Sequence, residues 1–251
     1  MMPKRAIVRE PGNKYTKCIS SHPQRHTIDV ILARKQHAVY CRTLEELGIE
    51  VIKLPRDDEH PDSCFVEDTA VIFGRKALIC RMAKDSRRGE EAGVEPILGK
   101  YLKTWRSFSP ATIEGGDVIH LEHKLISGIT QRTNLAGTHQ MSEWLKVKVD
   151  TVVDKSIVHL KSYVNYLGQG KMISTPRYAD HPALSGLEVL TVRDDDWYST
   201  NNIVVGETVI MPKGFPKTES LLKKEGFEVI PIEMTEFPKC EGALTCLSIL
   251  F

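Results

Sequence analysis

The chain ends in the stretch CEGALTCLSILF, residues Cys240 to Phe251, which is uncharged and apolar almost throughout from Ala243 onward. A short apolar run of this kind favours a buried strand over a helix. Its one reactive atom is the sulfur of Cys246, and the pair Glu241-Gly242 before the run allows a turn. Taken alone, Cys246 would be interpreted as an inert core residue, because free cysteine is among the most buried residue types.

Upstream of this tail, the pattern strand, strand, helix, strand recurs with a period of roughly 40 to 50 residues, which is typical of propellers and repeat arrays. One helix is predicted from a cap at Thr27 to about Leu47, followed by Gly48 as its stop. Others are predicted near Arg88 to Leu102, from about Asn134 to Leu145, and from Thr218 to Glu225. About five cycles fit the chain, with the C-terminal strand closing a ring near its start. An ordinary α/β sandwich is the alternative, which the even period disfavours.

Composition restricts the class of protein. A chain of 251 residues can bury a full core in one large domain or two small ones, and we predict a single domain over residues 1–251. The hydrophobic share of 41% and the charged share of 27% are typical of a soluble globular protein. A net charge of +1 predicts no attraction to nucleic acid or to an anionic membrane. The N-terminal MMPKRAIVRE lacks the apolar segment of a secretory signal.

The cysteines lie at positions 18, 41, 64, 80, 240 and 246 and form neither a C-x-x-C pair nor a dense framework. This spacing predicts reduced thiols and therefore a cytoplasmic protein. The stretch Pro11 to His26 is rich in Pro, Gly, Ser and Lys, which predicts a surface loop. An unstructured loop of this length is often functional, for example as a lid over a site.

The stretch PDSCFVED contains Asp62, Glu67 and Asp68 around an apolar centre. An unpaired buried carboxylate is costly, so these acids need a partner if they lie inside the protein. A guanidinium ligand would supply one through planar, bidentate hydrogen bonds. A polar loop with solvated acids is the alternative interpretation.

Two further stretches complete the ingredients of thiol catalysis. In EGGDV, residues Glu114 to Val118, the two glycines allow a sharp turn or a close backbone approach after the acid, although a plain turn explains them equally. In VHLKS, His159 lies in an apolar, strand-like setting, where a histidine is usually a hydrogen-bonded core residue. A cysteine, a histidine and an acid far apart in sequence can nonetheless supply nucleophile, proton shuttle and orienting group.

Other catalytic motifs are absent from the sequence. No phosphate-binding glycine loop, dinucleotide fingerprint, H-E-x-x-H or G-x-S-x-G motif occurs. His120 and His123 could indicate a metal pair, but on a strand a spacing of three places them on opposite faces. We therefore predict neither a metal nor a cofactor.

The ordered set PDSCFVEDTAVI, SRR, EGGDV, GITQRTN, HLKSY and GALTCLSIL resembles the dimethylarginine dimethylaminohydrolase family, and more loosely the wider guanidine-modifying group. The match runs in order over nearly the whole chain. The resemblance implies the pentein fold, a five-bladed α/β propeller of ββαβ units around a central channel that contains the site. It also implies a small-molecule substrate, an enzyme that needs no cofactor, and a monomer or homodimer.

The resemblance implies a role for each candidate residue. Cys246 becomes the nucleophile, His159 the general acid and base, and Glu114 the carboxylate that orients His159. For the substrate, the resemblance implies that Asp68 grips the guanidinium, with Glu67 and Asp62 alongside. Arg87 and Arg132 would hold the α-carboxylate. Ile19 would be an apolar lid contact, and the backbone around Cys240 and Glu241 would meet the α-amino group.

The implied reaction converts an N-methylated arginine to citrulline and an amine through a covalent intermediate on Cys246. An arginine deiminase acting on free arginine is the first alternative, and it is disfavoured because those enzymes carry an inserted helical domain. A non-catalytic binding protein of this fold is the second. It is disfavoured because such a protein has no reason to keep Cys246, His159, Glu114 and both arginines together.

Overall fold

The computed structural model describes residues 3–251, which form five small sheets of three strands each. The first sheet contains β1 (Arg5–Val8) and β2 (Glu50–Lys53), and the second contains β3 (Ala70–Phe73), β4 (Lys76–Ile79) and β5 (Lys103–Arg106). The third contains β6 (Val118–His120), β7 (Lys124–Ile129) and β8 (Lys148–Val153), and the fourth β9 (Val164–Gly168), β10 (Lys171–Ser174) and β11 (Glu188–Thr191). The fifth contains β12 (Ile203–Val205), β13 (Thr208–Pro212) and β14 (Glu228–Ile232), and β15 (Ser248–Leu250) completes the first sheet.

Every sheet has the same topology, in which the central strand pairs antiparallel with one neighbour and parallel with the other. The parallel partner follows a crossover connection that contains a helix. These helices are α1 (Val30–Glu46), α2 (Glu95–Leu98), α3 (Leu135–Leu145), α4 (Pro176–Ala179) and α5 (Pro216–Lys224). The predicted ββαβ repeat is therefore confirmed.

The sheets form a closed ring, because five hydrophobic clusters join each sheet to the next. One cluster lies between the first and second sheets, and the next three lie between the second and third, the third and fourth, and the fourth and fifth sheets. The last cluster joins the fifth sheet back to the first. The two ends of the chain close the ring, since β15 pairs antiparallel with β1 in the register Ile7 to Ile249. The five-bladed α/β propeller is thus confirmed, and the sandwich alternative is not.

Some predicted boundaries differ from the structure. Helix α1 begins at Val30 rather than after Thr27, because the side chain of Asp29 caps it by accepting from the backbone amides of Ile31 and Leu32. The helix predicted over residues 88–102 is reduced to a 3₁₀ turn at Glu90–Gly93 followed by the four-residue α2.

A 3₁₀ turn lies at most two residues before the edge strand that pairs antiparallel with the central strand of each sheet. These turns are Val66–Thr69, Gly115–Asp117, Leu160–Ser162, Asp194–Thr200 and Thr245–Leu247. The turns contact one another in succession around the ring. The repeat therefore brings five equivalent segments to one place. Five of the candidate residues lie on or directly beside them, namely Glu67, Asp68, Glu114, His159 and Cys246.

The cysteine prediction was wrong for one pair. Cys18 and Cys240 form a disulfide across 222 positions of sequence, whereas Cys41, Cys64, Cys80 and Cys246 are free and buried. Cys18 and Cys240 are brought together only by the tertiary fold, so their spacing in the sequence did not predict the disulfide. Among the helices of residues 3–251, none combines the length and apolarity needed to span a bilayer.

Candidate active site

The centre of the site is a contact between three side chains from neighbouring turns. His159 Nε2 lies 2.9 Å from Oε2 of Glu114 and 3.6 Å from Oδ1 of Asp68. Glu114 and His159 each cap a 3₁₀ turn in an extended conformation, and Asp68 lies within the turn Val66–Thr69. Each of the three residues is buried. The cluster has the geometry of an imidazole held between two carboxylates.

The glycines of EGGDV explain how the turns approach so closely. A Cβ on Gly115 would lie 2.1 Å from the carbonyl oxygen of Glu67. A Cβ on Gly116 would lie 2.8 Å from the imidazole of His159 and 2.9 Å from Oδ1 of Asp68. The amide of Gly116 instead donates to that same Asp68 oxygen at 2.9 Å. Close backbone approach, rather than a plain turn, is therefore the reason for both glycines.

Charges in the cluster fix its protonation at neutral pH. Burial on its own lowers the pKa of His159, but the charge of Asp68 and the hydrogen bond to Glu114 outweigh it and raise this pKa to about 9. Burial likewise opposes ionisation of Asp68, yet His159 and Arg87 hold its pKa at about 2. The pKa of Glu114 is also lowered, since the hydrogen bond from His159 and the charge of Arg87 exceed the effect of burial. The resting site thus contains an imidazolium between two carboxylates.

Cys246 lies in the turn Thr245–Leu247 and is 9% exposed. Burial, followed by the negative charges of Glu67 and Asp68, raises the pKa of its thiol far above the ordinary range. The resting sulfur is therefore a thiol. A cation that entered between these acids and the sulfur would reverse the electrostatic part of this effect.

Arg87 is placed differently from its predicted role. Its Nε and Nη2 donate to the carboxylate of Glu90, its Nη1 to Asp68 and Glu114, and its Nη2 also approaches the carbonyl of Phe65. All its N–H groups thus face protein acceptors. This arrangement fits a residue that fixes Asp68 and Glu114, and it leaves Arg87 no free edge for a substrate carboxylate.

Arg132 has the opposite environment. It is 5% exposed, and its Nε and Nη1 are buried without a hydrogen-bond partner among residues 3–251. A buried guanidinium with unsatisfied donors is costly, so the site is suited to an anionic partner. The backbone amide of Arg132 is held by the hydroxyl of Thr130 at 3.1 Å.

Asp62, Ile19 and Cys240 are three candidates that the N-terminal loop brings together. The amide of Ile19 is 3.2 Å from each carboxylate oxygen of Asp62. Cys240 is buried in its disulfide with Cys18, directly before Ile19. Glu241 accepts from the amide and hydroxyl of Ser21 at 2.7 and 2.6 Å. The loop is therefore fastened to the segment that precedes the cysteine turn.

The remaining candidate, Glu67, uses both carboxylate oxygens inside the protein. Lys161 Nζ lies 2.6 Å from Oε1, and the hydroxyl of Thr245 donates to Oε2 at 2.7 Å. Sequence reasoning did not identify Lys161, although it lies in the same VHLKS motif as His159. Asp117 was also missed; it accepts from the amide of Leu160 at 2.9 Å and so fixes the turn after His159.

The atoms of Asp68, Glu114 and His159 lie within 4.8 Å of one another, a spacing that could hold a metal ion. The guanidinium of Arg87 already donates to both of these carboxylates. A cationic side chain in that position and a protonated imidazole both oppose a second cation at the same atoms. The cluster is better suited to proton transfer than to metal binding.

Comparison with known proteins shows which family the chain resembles. The family model for eukaryotic N,N dimethylarginine dimethylhydrolase matches residues 5–173. The N(G),N(G)-dimethylarginine dimethylaminohydrolase of Pseudomonas aeruginosa is 30% identical, with 99% of each chain covered. The protein of that name from Streptomyces coelicolor is 35% identical, with 99% of this chain and 97% of its own covered.

Solved structures agree as well. A mutant of the Pseudomonas aeruginosa enzyme in complex with citrulline superposes with a TM-score of 0.95 at 30% identity over 100% of both chains. The N-terminal domain of the arginine dihydrolase ArgZ has a TM-score of 0.89 at 20% identity, covering 98% of this chain and 96% of its own, and so shares the fold. The pentein fold, the full-length identity and the matching family model lead to one conclusion: this chain belongs to the dimethylarginine dimethylaminohydrolase family.

Proposed function

We propose that this protein hydrolyses N-methylated arginine, both the asymmetric dimethyl and the monomethyl form, to citrulline and the corresponding amine. The observation that carries the proposal is the imidazolium of His159, whose Nε2 faces both Glu114 and Asp68, together with the contact between the Asp68 turn and the Cys246 turn. Relatives that are 30% and 35% identical over their full length are named as enzymes of this activity. Because the site draws residues from all around the ring, we further propose that the whole chain acts as one catalytic domain.

The electrostatics of the site favour a cationic substrate. Burial raises the pKa of Asp62 and of Glu67, and it raises the pKa of Glu90 to about 7. Buried carboxylates with raised pKa values lack sufficient positive charge around them. A guanidinium would supply that charge and would pair with a buried carboxylate in planar geometry.

The same cation would activate the nucleophile. Its positive charge offsets the negative charges of Glu67 and Asp68, which lowers the pKa of the Cys246 thiol, and the thiol proton passes to solvent water. The thiolate then forms a carbon–sulfur bond with the central guanidinium carbon. Carboxylates that hold the guanidinium in place and orient it toward the sulfur favour this attack.

His159 performs the proton transfers that follow. As an imidazolium it donates its proton to the departing methylated nitrogen, so the carbon–nitrogen bond breaks and a neutral amine leaves. The neutral imidazole then takes a proton from water, whose oxygen attacks the carbon of the covalent intermediate. The hydroxyl proton of this adduct passes to the sulfur as the carbon–sulfur bond breaks, so citrulline is released, the thiol is restored and His159 keeps the proton taken from water.

The rest of the substrate is held by the remaining site residues. Arg132 supplies the unsatisfied donors for the α-carboxylate. Asp62, the backbone around Cys240 and the side chain of Ile19 enclose the amino-acid end beneath the N-terminal loop. Arg87 keeps Asp68 and Glu114 in position rather than contacting substrate.

The direct test measures citrulline formation from asymmetric dimethylarginine, monomethylarginine and arginine with one enzyme preparation. We expect turnover of both methylated substrates and little of arginine, with Cys246→Ser as an inactive control because a hydroxyl is a far weaker nucleophile. Faster turnover of arginine would instead indicate a deiminase. Absence of citrulline from all three would leave only a binding function.

A further inference from the structure

We propose that Asn201 is a positioning residue for the nucleophile, which it holds through the neighbouring residue Thr245. The inference rests on the proposed role of Cys246. Asn201 directly follows the turn Asp194–Thr200 of the fifth repeat and was not identified from the sequence. Its side chain is 2% exposed and has no solvent-facing role.

Both ends of the Asn201 side-chain amide hydrogen-bond to Thr245, in the turn Thr245–Leu247 that contains Cys246 (the cysteine turn). Its Oδ1 accepts from the backbone amide of Thr245 at 2.8 Å, and its Nδ2 donates to the hydroxyl of Thr245 at 3.1 Å. The same Nδ2 donates to the carbonyl of Lys161 at 3.0 Å. The backbone amide donor and the carbonyl acceptor fix which end of the side chain is oxygen and which is nitrogen.

These bonds belong to a closed circuit of four residues. Thr245 donates to Glu67, Glu67 pairs with Lys161, and the Lys161 carbonyl accepts from Asn201, which returns to Thr245. Each member comes from a different repeat of the ring. The circuit therefore fixes the residue directly before Cys246 from two sides, and it explains why Glu67 has no free oxygen for substrate.

Position matters here because the sulfur must meet a planar carbon along one direction. Misplacement of a reacting group by about 1 Å can cost on the order of 10²-fold in rate. Loss of Asn201 would remove the two bonds that orient the Thr245 amide and hydroxyl. Binding of the substrate, which depends on other residues, would change little.

The chain offers a matched control in the next residue. Asn202 is also buried, at 4% exposed, but its Nδ2 donates only to the carbonyls of Ser199 and Thr200 within its own turn. Asn201→Ala and Asn202→Ala thus remove the same group from the same segment. Only the first removes contacts to the nucleophile turn.

The experiment compares kcat, KM, melting temperature and the rate of Cys246 alkylation by iodoacetamide as a function of pH. For Asn201→Ala we expect kcat to fall by about 10- to 100-fold with KM within about threefold, and the pH profile of alkylation to shift. For Asn202→Ala we expect a smaller loss of melting temperature, because it removes fewer hydrogen bonds, with kcat nearly unchanged. Equal loss of kcat in both variants, or a rise in KM alone for Asn201→Ala, would overturn the proposal.

A second variant protects the test against misfolding. Thr245→Val removes the hydroxyl shared by Asn201 and Glu67, and the double variant with Asn201→Ala should be about as slow as the slower single variant, since both break one circuit. Effects that multiply would show independent roles and would contradict the proposal. The alkylation rate reports on the cysteine turn even if the wild-type protein forms no citrulline. Failure of the proposed reaction can therefore be distinguished from failure of the proposed role of Asn201.

Discussion

At the scale of single residues, the two arginines of the site differ in how many of their N–H groups have a hydrogen-bond partner. The guanidinium of Arg87 is saturated by Asp68, Glu90 and Glu114, whereas two donor nitrogens of Arg132 are unsatisfied. Two arginines with the same expected role therefore have different functions. One maintains the fold of the site and the other is available to a ligand.

This difference predicts opposite outcomes for two substitutions. Arg132→Ala should raise KM by roughly 10- to 100-fold with little change in kcat, because it removes a contact made equally in ground and transition states. Arg87→Ala should lower the stability of the fold by about 3 to 5 kcal/mol, since it leaves buried carboxylates unpaired. Steady-state kinetics and thermal unfolding of both variants check this. The assignment fails if Arg87→Ala is stable and only its KM rises.

His159 should be needed for departure of the amine but not for attack on the substrate. Because its pKa is about 9, it is already protonated and cannot serve as the base for the thiol. In His159→Asn, loss of the amine and hydrolysis should slow by about 10²- to 10⁴-fold. Mass should then remain attached to Cys246 after prolonged incubation with substrate, as detected by intact-protein mass spectrometry.

The double variant His159→Asn with Cys246→Ser is the control for that experiment and should carry no added mass. A single variant that is inert and unmodified would mean that His159 is required to form the thiolate. Full activity would return His159 to the role of a core histidine.

The raised pKa of His159 also links stability to pH. Folding raises the pKa of His159 from an ordinary 6.5 to about 9, so the folded state binds this proton more tightly than the unfolded state. The resulting stability is complete below pH 6.5 and is lost as the pH rises through 9, amounting to at most roughly 3 kcal/mol. Chemical unfolding between pH 6.5 and 9.5 should show this fall in wild type and a smaller one in His159→Asn. Equal slopes would contradict the ion-pair geometry.

At the scale of elements, the N-terminal loop is tied to the cysteine-bearing segment. The disulfide Cys18–Cys240, the bond from Ser20 Oγ to the carbonyl of Lys239 at 2.7 Å, and the bonds from Ser21 to Glu241 act together. A cross-link between such distant positions restricts the unfolded chain strongly, by an amount on the order of 4 kcal/mol. The loop is thus fastened to the segment that precedes Cys246.

Breaking this link should loosen the loop. Cys18→Ser, or reduction of the wild-type protein, should lower the melting temperature and speed limited proteolysis between Pro11 and Ile28. Added reductant should have no further effect on Cys18→Ser, which serves as the internal control. If reductant shifts the variant as much as wild type, another cysteine is responsible.

At the scale of the whole molecule, the site depends on closure of the ring. Strand β15 pairs with β1, and the amides of Lys4 and Arg5 both donate to the carbonyl of Phe251. The Cys246 turn directly precedes this last strand, so the nucleophile is positioned by the contact that completes the first blade.

Removal of residues 248–251 should therefore abolish cooperative folding as well as activity. The truncation exposes one edge of β1 and deprives the cluster around Ile7 of Ile249. Circular dichroism during heating should show no sharp transition. A truncated chain with a cooperative transition near that of wild type would mean that the ring is stable when open.

The sequence by itself determined the repeat and the family of this protein. The even spacing of strand and helix patterns predicted the five-bladed ring because each ββαβ unit carries its own local signals. The motifs around Asp68, Glu114, His159 and Cys246 predicted the candidate reacting groups. The structure brings the first three into direct contact and the turn of Asp68 into contact with the turn of Cys246.

Only the tertiary structure decided how the other side chains are used. The saturation of Arg87, the disulfide of Cys18 with Cys240, and the hold of Asn201 on Thr245 all join residues whose proximity depends on tertiary folding. Hydrogen bonds and cross-links of this kind depend on distances of a few tenths of an ångström, which periodicity and composition do not specify. Protonation follows the same rule, because the pKa of a buried group is set by the charges that the fold places beside it.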